Sequence, residues 1–381
     1  MNTNTGTIFI SCGESSGDLY ASLLAKNLLD INPDLQIEGL GGDSLKNTGA
    51  KIVQHIGELQ VIGAFEIIPK LLKIHSILSN LKKYLSLNKP SLAILIDFPD
   101  FNFILGKFFK KIHIPVVYYV SPQIWAWRYS RIYAMKKFVD LMIPLFQFEQ
   151  EMYKKVGINT YFAGHPLLDI VHPKSSREDF IKKYNLKNYE FIFSILPGSR
   201  PSEIKYHNSV LLDACKKIVE QSSAIAFLII KAPNIPISSL EVFKKIKAII
   251  LSEDKYNALY YSDLLLIASG TASIEACIAE TPMIIFYKVN PLSWTLGRRL
   301  IKTQFLSMVN ICAGEEVVPE YYQNLFKADK IADLSIKMIK SPHLRDKQVN
   351  KLKKIKESLG TQGASKKIAQ FLINRFFTTY A

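Results

Sequence analysis

The chain has 381 residues, 48% of them hydrophobic and 21% charged, with a formal net charge of +15. That length accommodates two domains with full cores, and no apolar run reaches the ~18–20 residues of a transmembrane helix. Met1 to Gly17 lacks the basic start and apolar core of a signal peptide, so a chain of cytosolic origin is expected.

The excess of 48 Lys and Arg over 33 Asp and Glu suits nucleic acid, anionic lipid or a phosphorylated substrate. Scattered surface lysines in a Lys-, Ile- and Asn-rich chain would give the same excess. No helix-turn-helix, RNP motif or zinc finger supports nucleic acid. Cys12, Cys215, Cys277 and Cys312 are far apart and form no CxxC pair. Buried free thiols are expected, with neither zinc nor disulfides.

The first strand is predicted at Thr7–Cys12. Gly13, Glu14, Ser15, Ser16, Gly17 and Asp18 follow it and lead into a helix starting near Leu19. The glycines permit a tight turn and close approach to a ligand, but no Lys-Ser/Thr follows, so this is not a Walker A loop. The next strand, Leu92–Ile96, runs directly into Asp97-Phe98-Pro99-Asp100-Phe101-Asn102. Asp97 therefore stands at the carboxyl end of a strand, where open α/β sheets bind ligands, and a carboxylate there suits a general base. Asp100 reads as the N-cap of the following helix.

A strand at Pro115–Val120 precedes Ser121-Pro122-Gln123-Ile124-Trp125-Ala126-Trp127-Arg128. Tryptophan faces suit a sugar or lipid headgroup and arginine suits a phosphate, although packing at a domain rim would use the same rings. After a strand at Leu141–Leu145 come Gly164-His165-Pro166 and the polar, proline-bearing stretch from His172 to Arg177, which reads as a linker. His165 is a candidate for orienting an acceptor.

The second series of strands is predicted at Phe191–Leu196, Ala226–Ile230, Ala248–Leu251, Leu264–Ile267 and Met283–Tyr287. Two of them end in small-residue turns. Gly198-Ser199-Arg200, with Glu203 behind, offers a guanidinium for a leaving diphosphate. Ser269-Gly270-Thr271 opens a helix whose N-terminus suits an anion, and Glu275 one turn later suits a ribose diol. No Asp-x-Asp stands in a plausible loop, so no metal and no cofactor are expected. Strands alternating with helices predict an α/β fold of two doubly wound domains facing one cleft. The domains are placed at 1–170 and 171–354, with the segment 355–381, which carries a predicted amphipathic helix at Ser365–Phe377, a candidate to complete the first.

The ordered blocks GESSGD, DFPDFN, YYVSPQIWAWR, GHPL, LPGSR and SGTAS together resemble the lipid-A-disaccharide synthases over about residues 7–325. The resemblance implies an inverting glycosyltransferase with a GT-B fold. Its donor would be UDP-2,3-diacylglucosamine and its acceptor 2,3-diacylglucosamine 1-phosphate. Asp97 then matches the base, and Gly198, Ser199, Arg200, Ser269, Gly270, Thr271 and Glu275 match the UDP site. Asn310, Glu316, Glu320 and Gln323 fall in a stretch like the family's later donor motif, although Val309-Asn310 stands where Pro-Asn is common. Gly13 to Asp18, Gln123, Trp125, Arg128 and His165 fall on the acceptor side.

Lipid substrates further imply a peripheral enzyme at the cytoplasmic face of an anionic inner membrane. Its contacts would be Ile62, Phe65, Ile67, Ile68, Leu71 and Leu72, in a stretch mixing apolar residues with lysines. A homo-oligomer is compatible with this picture, and nucleic acid is not an expected partner. The rival readings are another UDP-sugar transferase with a lipid-linked acceptor, a UDP-sugar 2-epimerase, and a non-catalytic nucleotide-sugar sensor.

Overall fold

A computed structural model describes residues 6–60, 67–300 and 303–378, with the backbone alone for 60, 67–71, 292, 293, 296, 299 and 300. The chain divides into two compact units, Met1–Pro166 with Leu359–Ala381, and Leu167–Ser358.

The first unit holds β1 (Thr7–Cys12), β2 (Gln36–Gly41), β3 (Lys51–His55), β4 (Leu92–Ile96), β5 (Val116–Tyr119) and β6 (Leu141–Ile143). All their pairings are parallel, in the order β3-β2-β1-β4-β5-β6. The second holds β7 (Phe191–Leu196), β8 (Ile225–Ile230), β9 (Ile249–Leu251), β10 (Leu264–Ala268), β11 (Met283–Tyr287) and β12 (Glu320–Tyr322). Its order, β12-β11-β10-β7-β8-β9, is the same doubly wound topology. In each sheet the order reverses once, between β1 and β4 in the first and between β7 and β10 in the second.

The central strands are continuous apolar runs because helices cover both faces. Every residue of β4, β8 and β10 is buried. In the second unit Phe193, Phe227, Phe243, Phe286 and Phe326 form the heart of the core, with Phe286 and Phe326 stacked at 4.8 Å. The predicted strands match to within two residues, while β2, β3 and β12 were not anticipated. Asp100 is corrected: Phe98 is the N-cap of helix Pro99–Lys111 and Pro99 its first residue, which leaves Asp100 inside the first turn. No helix among the described residues is long and apolar enough to cross a membrane.

Helix Ala364–Phe376 returns to the first unit and packs along helix Ser15–Ile31. Ile368, Ala369, Leu372 and Ile373 supply its buried stripe, and Phe371 stacks on Tyr161 at 4.1 Å. Gly164, at φ +107, lies against the backbone of Thr361 where the chain comes back. Leu372→Ala, which deletes a fully buried side chain, is expected to cost the first unit about 2–5 kcal/mol. Denaturant unfolding followed by a probe in that unit would show it, and an unchanged transition would contradict the packing role of this helix.

Candidate active site

Each reversal of strand order brings two strand-end loops together, and the loops singled out by sequence are the ones found there. In the first unit, Gly13 to Asp18 follow β1 and Asp97 follows β4. The two loops touch: a Cβ on Gly13 would fall 2.2 Å from the Phe98 ring, so only glycine lets Phe98 lie there. Glu14, with extended backbone, is the N-cap of helix Ser15–Ile31.

Asp97 and Phe98 both adopt left-handed backbone, each at φ 45°, which costs a non-glycine residue about 1–2 kcal/mol. Hydrogen bonds hold them in place. The Asn102 amide donates to the Asp97 carbonyl at 2.8 Å and to that of Ile96 at 3.2 Å. The Tyr118 hydroxyl donates to the same Asp97 carbonyl at 2.8 Å. Ser11 donates to the Asn102 side-chain oxygen at 2.7 Å, which ties β1 into the arrangement. The half-buried Asp97 carboxyl is thereby left at the carboxyl end of the sheet. Burial first, and then the Glu14 carboxylate, push its pKa up to about 6, against the opposing Phe98 N–H.

Other residues expected on the acceptor side are engaged in holding loops. Both oxygens of buried Asp18 accept backbone N–H groups, Gly42 at 2.7 Å and Ser44 at 2.9 Å, so Asp18 straps the loop after β2. His165 is buried beside Tyr20 and Phe146. Burial drives its imidazole down to about 3, which keeps it neutral and packed. Trp125 is half-buried and donates its ring N–H to Glu149 at 3.0 Å. Burial raises the Glu149 carboxyl to about 7 against the bonds from Trp125, Phe146, Ser121 and Leu145. Gln123 and Arg128 stand exposed at the two ends of the short helix Ile124–Trp127.

In the second unit the loops after β7 and β10 flank the reversal. Gly198 sits at φ +134, and a Cβ there would fall 2.8 Å from a Glu203 oxygen. Glu203 is buried and accepts Ser199 N–H at 2.9 Å, Arg200 N–H at 3.2 Å and the Arg200 guanidinium at 3.1 Å. This box shapes the turn and leaves Ser199 and most of Arg200 exposed. His207, not anticipated from the sequence, bonds the Pro197 carbonyl through Nδ1 at 2.6 Å and accepts the Lys288 N–H on Nε2 at 2.9 Å. Burial lowers its pKa, and the ring ties the turn to the end of β11.

Across the reversal, Ser269 donates its N–H to Phe286. Exposed Gly270 and Thr271 open helix Thr271–Ile278, and a Cβ on Gly270 would meet nothing within 4 Å. A helix N-terminus beside open space suits an anion. Glu275 is buried one turn on, ion-paired with Lys255 and hydrogen-bonded to Tyr256.

Asn310 is fully buried, and its amide clasps the backbone of Val317 and Val318 and bonds Glu320 at 2.8 Å. Glu320 in turn accepts the N–H groups of Leu306 and Ser307, both at 2.9 Å. These two residues hold the 306–318 loop, whose Leu306 carbonyl takes a bond from Ser269 Oγ at 3.3 Å. Glu316 is exposed. Gln323 is half-buried at φ 50, its amide nitrogen enclosed without a partner. Of the expected membrane contacts, Ile62 and Phe65 lie outside the described residues. Ile67, Ile68 and Leu71 are placed by backbone alone in helix Ile67–Leu87, and Leu72 is 67% exposed.

The solved structures similar to this chain confirm the architecture. A putative UDP-N-acetylglucosamine 2-epimerase from Listeria monocytogenes matches with TM-score 0.65 at 13% identity, over 98% of this chain and 97% of that one. The calicheamicin glycosyltransferase CalG4 matches with TM-score 0.64 at 13% identity, over 98% and 99%. Sequence relatives are closer. The lipid-A-disaccharide synthase of Coxiella burnetii is 33% identical over 98% of this chain and 99% of its own length. That of Solibacter usitatus is 35% identical over 94% of both. The family model for lipid-A-disaccharide synthetase matches residues 8–373. With both sheets wound alike and the motifs set at their reversals, the chain belongs to the lipid-A-disaccharide synthetase family and is a glycosyltransferase of the GT-B fold.

Proposed function

We propose that this chain transfers 2,3-diacylglucosamine from UDP-2,3-diacylglucosamine to the 6-hydroxyl of 2,3-diacylglucosamine 1-phosphate. The products are the β-1,6-linked disaccharide 1-phosphate and UDP. The observation that carries this reading is Asp97, a half-buried carboxyl fixed at the β4 end with its pKa raised to about 6. At neutral pH it is mostly ionised, yet basic enough to accept a proton from a hydroxyl under attack. That oxygen forms the new bond to donor C1 as the bond to the diphosphate oxygen breaks, inverting the anomeric centre.

On the donor side, Arg200 and the N–H groups of the Gly198-Ser199 and Gly270-Thr271 turns would take the diphosphate charge. Glu275 would accept the ribose hydroxyls, sharing its carboxylate with Lys255. Asn310 and Glu320 would act through the loop they hold. Glu14, Ser15, Ser16, Gln123 and Trp125 would border the acceptor. No resident metal or cofactor is invoked. The epimerases share the fold, but a free UDP-sugar epimerase has no need of an acceptor.

Asp97→Asn should cut disaccharide formation by about 10²–10⁴-fold. The variant should be at least as stable as wild type near pH 7. A raised carboxyl pKa costs nothing below the unfolded value near 4 and its full penalty above about 6. Equal rates in a quantitative assay would remove Asp97 as base. Chelator in the same assay is expected to leave the wild-type rate unchanged, and an abolished rate would assign diphosphate charge to a metal.

The reading also places the enzyme on an anionic membrane, with exposed Leu72 beside exposed Lys73 on helix Ile67–Leu87 as one contact. Leu72→Glu should reduce sedimentation with phosphatidylglycerol vesicles several-fold. Unchanged sedimentation would move the contact elsewhere.

A further inference from the structure

Beside Asp97 lies a cluster that fold stability does not explain. Asp100, in the first turn of helix Pro99–Lys111, has its carboxylate 71% exposed. Two arginines from the segment after β5 converge on one of its oxygens, Oδ1. Arg128 Nη1 stands 3.4 Å away and Arg131 Nη2 is in close contact. Each guanidinium is backed by aromatic rings. Arg128 lies 4.0 Å over the Trp127 ring, and Arg131 lies 5.1 Å from Phe103 and 5.9 Å from Trp127. Exposed ion pairs contribute about 0–1 kcal/mol, so stability gives little reason to gather two arginines on one carboxylate. Against a single carboxylate the pair keeps an unneutralised positive charge.

Ring-backed guanidiniums held side by side form a rigid fork suited to a tetrahedral oxyanion. A phosphomonoester brings three acceptor oxygens and a charge near −1.5 to −2, more than Asp100 can offer. The cluster also shares a ledge with the base. β4 and β5 are hydrogen-bonded neighbours, with Ile96 opposite Tyr119. The Tyr118 hydroxyl that holds the Asp97 carbonyl lies in the electrostatic field of both Arg131 and Asp100.

We propose that Arg128 and Arg131 form the seat for the acceptor's anomeric phosphate, with Asp100 as a resident carboxylate that the phosphate displaces. This rests on the acceptor-side reading of the first unit. A hexosamine held by its phosphate at C1 would then be anchored on the ring-oxygen side, where C5 carries the 6-hydroxyl that Asp97 deprotonates. Asp100 would keep the seat closed to weaker anions while it is empty.

The test compares wild type, Arg128→Gln/Arg131→Gln, Arg131→Lys and Asp100→Asn. Acceptor KM, donor KM and the preference for 2,3-diacylglucosamine 1-phosphate over its dephosphorylated form are measured for each. The double glutamine variant should raise acceptor KM about 10–100-fold, leave donor KM in place and erase the preference for phosphate. Asp100→Asn should lower acceptor KM several-fold, and Arg131→Lys, which keeps the charge, should fall between wild type and the double variant. An intact phosphate preference in the double variant would overturn the proposal.

Calorimetric titration with glucosamine 1-phosphate separates this seat from the catalytic reading. Binding to wild type that is lost in the double variant supports the seat even if no disaccharide forms. Equal binding by both, or none by wild type, rejects it.

Discussion

The reversal of strand order in each parallel sheet is the constraint on which the rest depends. At a reversal, adjacent strands send their connections to opposite faces, and the strand ends are left with a crevice that no crossover covers. The four loops to which the proposed chemistry is assigned border such a crevice, after β1 and β4 in one unit and after β7 and β10 in the other. The strands do the positioning, because a loop leaving a fully buried strand has its first residue fixed by the ladder. Asp97 is the clearest case, one residue beyond Ile96, which pairs with Cys12 on one side and Tyr119 on the other.

Most of the enclosed carboxylates, Asp18 in the first unit among them, are compensated by hydrogen-bond donors. In the second unit Glu203 and Glu320 are each surrounded by backbone N–H donors, and Glu275 is covered by Lys255 and Tyr256. Such groups order loops, since an uncompensated buried charge would be costly. In the first unit Asp97 faces the Phe98 N–H but also the charge of Glu14, and its pKa rises. The backbone that presents it is left-handed at two successive residues, a strain held by Asn102 and Tyr118. Strain together with an under-compensated charge suits the reactive role proposed for Asp97, at some cost in stability.

Much of this was legible in the sequence where a signal is local. Leu92–Ile96 and Leu264–Ile267 are uninterrupted apolar runs followed at once by a turn, so both strand and site follow from adjacent residues. The missed strands lack that signal. Gln36–Gly41 carries Gln, Glu and two glycines, and Lys51–His55 is a polar edge strand that is not fully buried on any residue. Residue type was also legible where partner was not. Asp18, Asn310, Glu320 and His165 resemble ligand-facing groups, but their settings depend on segments far along the chain, such as the loop after β2 that Asp18 holds. For the same reason Asn102, Glu149, His207 and Arg131 gave no warning, since each matters through residues that only folding brings near.

The central claim is that folding, by burial and by the nearness of Glu14, raises the Asp97 carboxyl to the range of a useful base. The most direct test is the pH dependence of kcat/KM for wild type and for Glu14→Gln. The account predicts an ascending limb near pH 6 in wild type, because activity needs Asp97 ionised, and a shift of that limb to lower pH when the neighbouring charge is removed. An acceptor phosphate titrates in the same region, but its limb would not move with Glu14. A wild-type limb near pH 4, or one that stays in place in Glu14→Gln, would contradict the account.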